Sequence, residues 1–208
     1  LMRLEEIPGE GTYLFNAKDL NLSQHIKEIL DSGVIDSLKI EGRTKSLYYA
    51  AVTAKTYRKA IDDYYAGKFD GGYYESELNT LKNRGYTDGY IVSRPFERDD
   101  SQNMQTAMSD GEFQVKAFVP EDGLYFYCKD KIFPGDEIDI LLPYGGKVED
   151  CDNDIGSVYV RDGKQVIVFK KIITEGEKEL DSVHSGNTNK ILLPTLFPKF
   201  SFLRKKED

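Results

Sequence analysis

Apolar and polar positions alternate with two different periods along this chain. In the first half, Thr12-Tyr13-Leu14-Phe15 is a short β-prone run. Leu22, Ile26, Ile29 and Leu30 then fall at i, i+4, i+7 and i+8, one face of a helix, with Asp19 or Asn21 placed to cap it and Gly33 placed to end it. Ile35 to Ile40 alternates apolar and polar, which predicts a strand broken by Gly42. Ser46 is the predicted N-cap of a long helix carrying Ala50, Ala54, Tyr57, Ile61 and Tyr64 on one stripe and ending at Gly67. A third helix is predicted from about Tyr73 to Asn83, with Leu78 and Leu81 inward and Gly85 as the stop.

This order, strand–helix–strand–helix with short loops, is the unit of a parallel α/β sheet or barrel. Two strands do not make a stable parallel sheet. The reading therefore expects the C-terminal part of a longer protein, with the missing strands upstream of Leu1.

The second half has the period of a strand. Glu112–Val119, Leu124–Cys128, Glu137–Leu142, Ser157–Arg161, Gln165–Phe169 and Lys190–Leu193 read as short strands. Asp-Gly, Pro-Gly and Gly-Gly turns separate them, the spacing of a small antiparallel barrel. Residues 97–111 are polar and aperiodic, a linker or long surface loop. The fold class is thus α/β plus all-β: strand–helix units of a TIM-like barrel over 1–96, a linker over 97–111, and a small β-barrel over 112–208.

Composition narrows the function classes. The 208 residues are 39% hydrophobic and 31% charged, and no apolar run approaches the roughly 20 residues of a membrane helix. No membrane partner is expected, and the two cysteines, Cys128 and Cys151, read as reduced thiols of a cytoplasmic protein. Without a Cys-x-x-Cys pair, no metal site or cluster is expected within the chain. The net charge of −8 is uneven: residues 1–98 carry 14 basic and 15 acidic side chains, and residues 99–208 carry 14 and 21. An acidic half does not follow a phosphate backbone by bulk electrostatics, so any nucleic-acid contact belongs to the first half.

Two polar clusters carry candidate chemistry. Asn16, Lys18 and Asp19 follow the first predicted strand, and Glu41, Arg43 and Lys45 follow the second. In an α/β barrel, polar residues at the C-terminal ends of strands face the site. Gly42 admits close backbone approach, Arg43 offers a bidentate fork, Lys45 a point charge, and Ser46 opens a helix whose first amides favour an anion. The same residues also suit ion pairs and caps that join strand to helix. His25, on an amphipathic helix, reads as structural, and His184 as a surface-loop residue. Two histidines give a Ser-His-Asp triad little to work with. No His-Glu-x-x-His, P-loop or Gly-x-Gly-x-x-Gly is present. The tyrosines at 48, 49, 57, 64 and 65 read as core packing rather than base stacking. Asn83 to Tyr90 is either a closing loop or a helix stop, and Arg204-Lys205-Lys206 reads as a solvated basic cluster.

At these positions the chain resembles the U-thirty-two peptidase family, the collagenase-like proteases. The strings Phe-Asn-Ala-Lys-Asp-Leu at 15–20, Leu-Lys-Ile-Glu-Gly-Arg-Thr-Lys-Ser at 38–46 and Asn-Arg-Gly-Tyr-Thr-Asp-Gly at 83–89 match family strings in order and spacing. The β-rich tail is similar to the family's C-terminal barrel. The chain covers the C-terminal half of a full member and is closest in flavour to a bacterial one. The resemblance implies two activities: peptidase, and hydroxylation of the tRNA wobble uridine supported by prephenate and an iron–sulfur cluster. The family's cluster cysteines lie upstream, and Cys128 and Cys151 match none of them. Ala17 and Thr44 replace the commoner Ser and Met, and Asp88 adds a negative charge to the loop at 83–89. The resemblance makes Lys18, Arg43, Lys45 and Asn16 candidate anion-binding residues and Asp19 and Glu41 candidate catalytic or orienting carboxylates. tRNA is the implied partner, with a protein or peptide substrate as the alternative. A non-catalytic binding module is the third reading. The barrel is then an accessory domain for substrate docking or self-association.

Overall fold

The computed structural model describes residues 4–9, 11–14, 16–92, 102–103, 111–187 and 190–206. It divides into two compact units, Leu1–Glu112 and Phe113–Asp208. Phe15 and nearly all of the predicted linker at 97–111 lie outside the described residues.

In the first unit, β1 (Leu4–Ile7) and β2 (Gly11–Leu14) form an antiparallel hairpin, with Leu4 opposite Leu14. Residues 12–14 of the predicted run therefore pair with the segment before them, and among the described residues they have no parallel neighbour. The short β3 (Asn16–Ala17) and β4 (Asp19–Leu20) follow, and then a 3₁₀ turn (Ser23–His25) leads into α1 (Ile26–Asp31). Neither Asp19 nor Asn21 caps this start: Leu22 and His25 hold the two N-cap positions without a side-chain cap bond, and Asn21 instead closes a local turn, its Oδ1 accepting from the Ser23 N–H at 3.0 Å. Gly33, at φ +65°, ends the helix.

The predicted strand at 35–40 does not form. Alternation makes a segment strand-competent, but a strand exists only when a neighbour satisfies its backbone groups. Among the described residues no ladder reaches this segment, so Ile35, Leu38 and Ile40 stay exposed on an extended loop.

α2 (Leu47–Tyr65) begins where predicted: Ser46 Oγ accepts from the Tyr49 N–H at 3.2 Å. Its buried face differs from the predicted stripe. Tyr48, Val52, Thr56 and Ala60 turn inward, while Ala54, Tyr57 and Ile61 line an open cleft. α3 (Gly71–Asn79) is capped by Asp70 and stops earlier than predicted, with Leu78 and Leu81 buried as expected. The unit's core joins Ile26, Ala60 and Tyr74, with Phe69 and Tyr57 against them. β5 (Tyr86–Thr87) pairs in parallel with β4, Asp19 opposite Tyr86, and β6 (Gln102–Asn103) pairs with β3. Among the described residues the two-residue β4–β5 ladder is the only parallel pairing.

In the second unit, β7 (Phe113–Phe118), β8 (Gly123–Cys128), β9 (Glu137–Leu141), β10 (Cys151–Asp152), β11 (Gly156–Arg161) and β12 (Lys164–Phe169) come first in the chain. A small hairpin of β13 (Ile172–Ile173) and β14 (Glu179–Leu180) follows, then β15 (Ile191–Phe197) and β16 (Phe202–Lys206). Eight strands form one antiparallel sheet in the order β10-β11-β12-β9-β16-β7-β8-β15. Its two end strands approach each other, and Asn153 Nδ2 donates to the Pro194 carbonyl at 2.8 Å across the gap, giving a nearly closed barrel. Phe126, Phe169, Ile138, Ile167 and Leu203 fill it, the two rings 5.4 Å apart. Burying each such side chain contributes roughly 1.5–3 kcal/mol.

The six predicted strands are present, with ends shifted by a few residues. The basic tail is the correction: Arg204-Lys205-Lys206 belongs to β16, in the middle of the sheet. Arg204 is buried with its guanidinium 3.9 Å from the centroid of the Phe113 ring, and Lys205 pairs with Asp136 at 3.0 Å.

Candidate functional site

A cleft of about 980 Å³ opens in the first unit. β4, the loop at 35–45, the start of α2 and the residue before Gly85 supply its walls. Ile26, Ile29, Ile61 and Ala54 make one side apolar, and six basic side chains against two acidic ones line the rest: Lys18, Lys39, Arg43, Lys45, Arg58 and Arg84, with Asp19 and Glu41. In a chain of net charge −8 this is a local reversal of sign.

Asp19 organises the shielded part. Its side chain is 10% exposed. Its Oδ1 accepts from Arg84 Nη2 at 2.6 Å and Nε at 3.1 Å, and its Oδ2 from the Arg84 backbone N–H at 3.2 Å. Lys45 Nζ lies 3.6 Å from Oδ2. Burial alone would raise this carboxyl, but the Arg84 hydrogen bonds, helped by the Lys45 charge, hold it below its ordinary value. The local sequence explains the geometry. β4 and β5 pair at Asp19 and Tyr86, which brings the residue just before Gly85 to the carboxylate. Gly85, at φ +82°, makes the turn, and the Lys18 stem lies over it.

Lys45 sits 4.9 Å from the centroid of the Tyr49 ring. Burial pushes the Tyr49 phenol up, and the Asp19 charge adds to it, so the hydroxyl is neutral at pH 7. Thr53, one turn further along α2, is 6% exposed and lines the cleft, and its side-chain hydroxyl tempers the upward push on the Tyr49 phenol. Tyr57 completes this side, accepting from the Leu22 N–H at 2.9 Å and donating to Asn21 Oδ1 at 3.2 Å.

The second cluster faces solvent. Glu41 Oε1 accepts from Arg43 Nε at 2.9 Å, and Lys39 lies 3.8 Å from Glu41 Oε2. Arg43 is 89% exposed, so this pair is a weak tether and the guanidinium keeps most of its surface for a ligand.

The structure thus brings Lys18, Asp19, Glu41, Arg43 and Lys45 to one cleft. The Asn16 backbone lies in β3, and its side chain falls outside the described residues. The sequence reading missed Arg84, Tyr49 and Thr53 as site residues. The Asn-Arg-Gly string was the signal for the first, since an arginine at a glycine turn has its backbone fixed. Thr53 carries no sequence signal, because a threonine on a buried helix face reads as packing. His25 Nε2 lies 3.8 Å from an Asp88 carboxylate oxygen.

The described residues do not fit an iron–sulfur cluster. No group of three His, Cys, Asp or Glu among them is placed to hold a metal. Cys128 is buried in the barrel with its thiol donating to the Asp130 carbonyl, and burial pushes it up to about 11, the protonated form that does not ligate. Among the described residues no helix is long and apolar enough to cross a membrane.

The chain is similar over 204 residues, at 52% identity, to tRNA hydroxylation protein P of Helicobacter pylori, covering 98% of this chain and 48% of that protein. It is 44% identical over 141 residues to tRNA hydroxylation protein P of Escherichia coli, covering 65% of this chain and 30% of that protein. A shorter match, 34% identical over 92 residues, joins it to a collagenase of Porphyromonas gingivalis, covering 43% of this chain and 25% of that protein. The chain spans about half the length of the Helicobacter relative. No solved structure matches it. The profile of peptidase family U32 matches residues 3–101, the part that holds the Asp19–Arg84 pair and the cleft, and the chain belongs to that family.

Proposed function

We propose that this chain forms part of a protein that hydroxylates the wobble uridine of tRNA, and that its cleft recognises an anion there. The observation that carries the reading is the charge reversal: six basic side chains against two acidic in one cleft of an acidic chain. The relatives named for tRNA hydroxylation supply the substrate class. Arg43 and Lys39, exposed at the rim, suit an RNA phosphate, with Lys18 beside them. Lys45 is better shielded and suits a carboxylate, of which prephenate is one. Asp19 and Glu41 act by holding these cations in place: each already accepts hydrogen bonds from an arginine.

The first unit is in this reading a portion of a TIM-like barrel. The parallel β4–β5 pair and the alternating, unladdered segment 35–40 support it. The barrel of the second unit is an accessory domain, residues 97–111 link the two, and the protein works in the cytoplasm.

The family name and the collagenase relative give the peptidase alternative. A peptidase needs an activated nucleophile, a metal-bound water or a free carboxylate pair. The two carboxylates of this cleft are tied to Arg84 and Arg43 instead. The test is mass spectrometry of tRNA nucleosides from a strain lacking its family genes, rescued with the full-length protein or its Arg43→Ala form. Hydroxyuridine restored by the first and lost with the second is the expected result; no rescue by the parent would sink the tRNA assignment.

A further inference from the structure

The loop that makes one wall of the cleft is built in two ways. Among the described residues no ladder reaches residues 34–41, and the side chains of Val34, Ile35, Leu38 and Ile40 stand exposed. The end of the loop is ordered by its own bonds. The Lys45 N–H donates to the Gly42 carbonyl at 2.9 Å, which closes a four-residue turn with Arg43 and Thr44 at its tip.

Both ends of that turn lie on one ring. Lys45 Nζ is 4.9 Å from the centroid of Tyr49. A Cβ at Gly42 would stand 3.6 Å from Tyr49 Cε1, ordinary van der Waals contact, so the Gly42 backbone faces the same ring. Tyr49 is itself fixed. It lies in the first turn of α2, its N–H donates to Ser46 Oγ at 3.2 Å, and Thr53, one turn on, acts on its phenol. Lys45 also reaches the Asp19 carboxylate at 3.6 Å, so the base of the turn is held from two sides while its tip carries an arginine that is 89% exposed. The Glu41–Arg43 pair does not supply this order. It ties the arginine to a neighbour on the same exposed loop, where an ion pair is weak.

We propose that the Tyr49 ring is the seat of the Gly42–Lys45 turn, and that Tyr49 is a positioning residue that presents Arg43 to an anion at the rim. An arginine on a free loop loses backbone and side-chain freedom when it binds. One whose backbone is already fixed loses less and binds more tightly. The ring supplies a cation–π contact to Lys45 and a flat surface for Gly42, which a phenylalanine keeps and a leucine does not. Tyr49 acts through Arg43 and does not touch the anion. The inference deepens the reading of the rim as an RNA-phosphate site and rests on that reading for the ligand, but not for the seat.

Two measurements on the full-length protein test it. The first is tryptic cleavage after Arg43, mapped by mass spectrometry and compared with cleavage after Lys55 inside α2, which reads the turn without any ligand. Tyr49→Leu raises the rate at Arg43 by about tenfold and leaves Lys55 unchanged, and the conservative Tyr49→Phe returns the wild-type pattern. The second is fluorescence titration with labelled hexauridylate. Arg43→Ala weakens binding by about tenfold. Tyr49→Leu weakens it by about three- to tenfold, and Tyr49→Phe recovers it. The double variant Tyr49→Leu/Arg43→Ala binds no more weakly than Arg43→Ala alone, because one residue acts through the other. The proposal is overturned by Arg43 cleavage that Tyr49→Leu leaves unchanged, by a rise at Lys55 equal to that at Arg43, by a Tyr49→Phe form as loose as Tyr49→Leu, or by additive losses in the double variant. Hexauridylate that does not bind the wild type removes the RNA reading of the rim, and the seat then stands or falls on the cleavage at Arg43.

Discussion

Replacing Asp19 by Asn keeps the shape of the side chain and removes its charge. Arg84 gives this carboxylate three N–H bonds, at 2.6, 3.1 and 3.2 Å, and Lys45 approaches to 3.6 Å. An asparagine has one acceptor oxygen, so it serves the Arg84 guanidinium or the Arg84 backbone amide but not both. At least one bond is lost, and those that remain lose the attraction between two opposite charges, since only the arginine stays ionised. Charge-assisted bonds contribute roughly 1.5–3 kcal/mol and neutral ones roughly 0.5–1.5 kcal/mol. Arg84 is 39% exposed and regains water, which offsets part of the loss. The net expectation is a destabilisation of about 2 kcal/mol at pH 7.

The sign of the pH dependence follows from the lowered Asp19 carboxyl. A group held below its ordinary value of 3.8 stabilises the fold above that pH and loses its effect as pH falls through the folded-state value. The wild-type chain therefore loses this contribution in acid, and Asp19→Asn has none to lose. The assay is urea unfolding followed by circular dichroism at 222 nm, which reports on the first unit because α1, α2 and α3 all lie in it. The gap between the two proteins should be about 2 kcal/mol at pH 7 and should close below pH 4. An equal gap at pH 7 and pH 3, or no gap at pH 7, would refute the argument that Asp19 is an ionised anchor.

Two predictions concern the barrel. A methyl group at Gly156 overlaps the Val168 carbonyl oxygen, inside the β11–β12 ladder, so Gly156→Ala should cost about 3 kcal/mol or more and be seen as a lower urea midpoint of the second unit. Cys128 is buried, and its thiol is pushed up to about 11, so in the native chain at pH 8 a disulfide reagent should leave it unmodified until denaturant is added; mass mapping of the labelled peptides checks this.

The barrel was legible because its information is local. Each predicted strand is bounded by a turn such as Asp162-Gly163, and Asp162 and Gly163 do take left-handed conformations. β16 was missed because its charged residues look solvated in one dimension. Only the sheet shows Arg204 buried over Phe113 and Lys205 met by Asp136. In the first unit Ser46 was legible for the same local reason. Segment 35–40 was misread because a strand depends on a partner that periodicity does not reveal. The α2 stripe was misread in part: Ala54 faces the cleft, while Tyr57 and Ile61 line the cleft and also pack against the core. Of the site, the two polar clusters were legible from their residues, but not that Asp19 binds Arg84, 65 residues away along the chain. That contact depends on the β4–β5 pairing.

The central claim is that this cleft serves tRNA hydroxylation by recognising an anion. The most direct measurement is the hydroxyuridine content of tRNA from a strain lacking its family genes and rescued with full-length protein. The account predicts that the parent restores the modified nucleoside and that Arg43→Ala, folded and expressed equally, does not. Full modification with Arg43→Ala, or none with the parent, would contradict it.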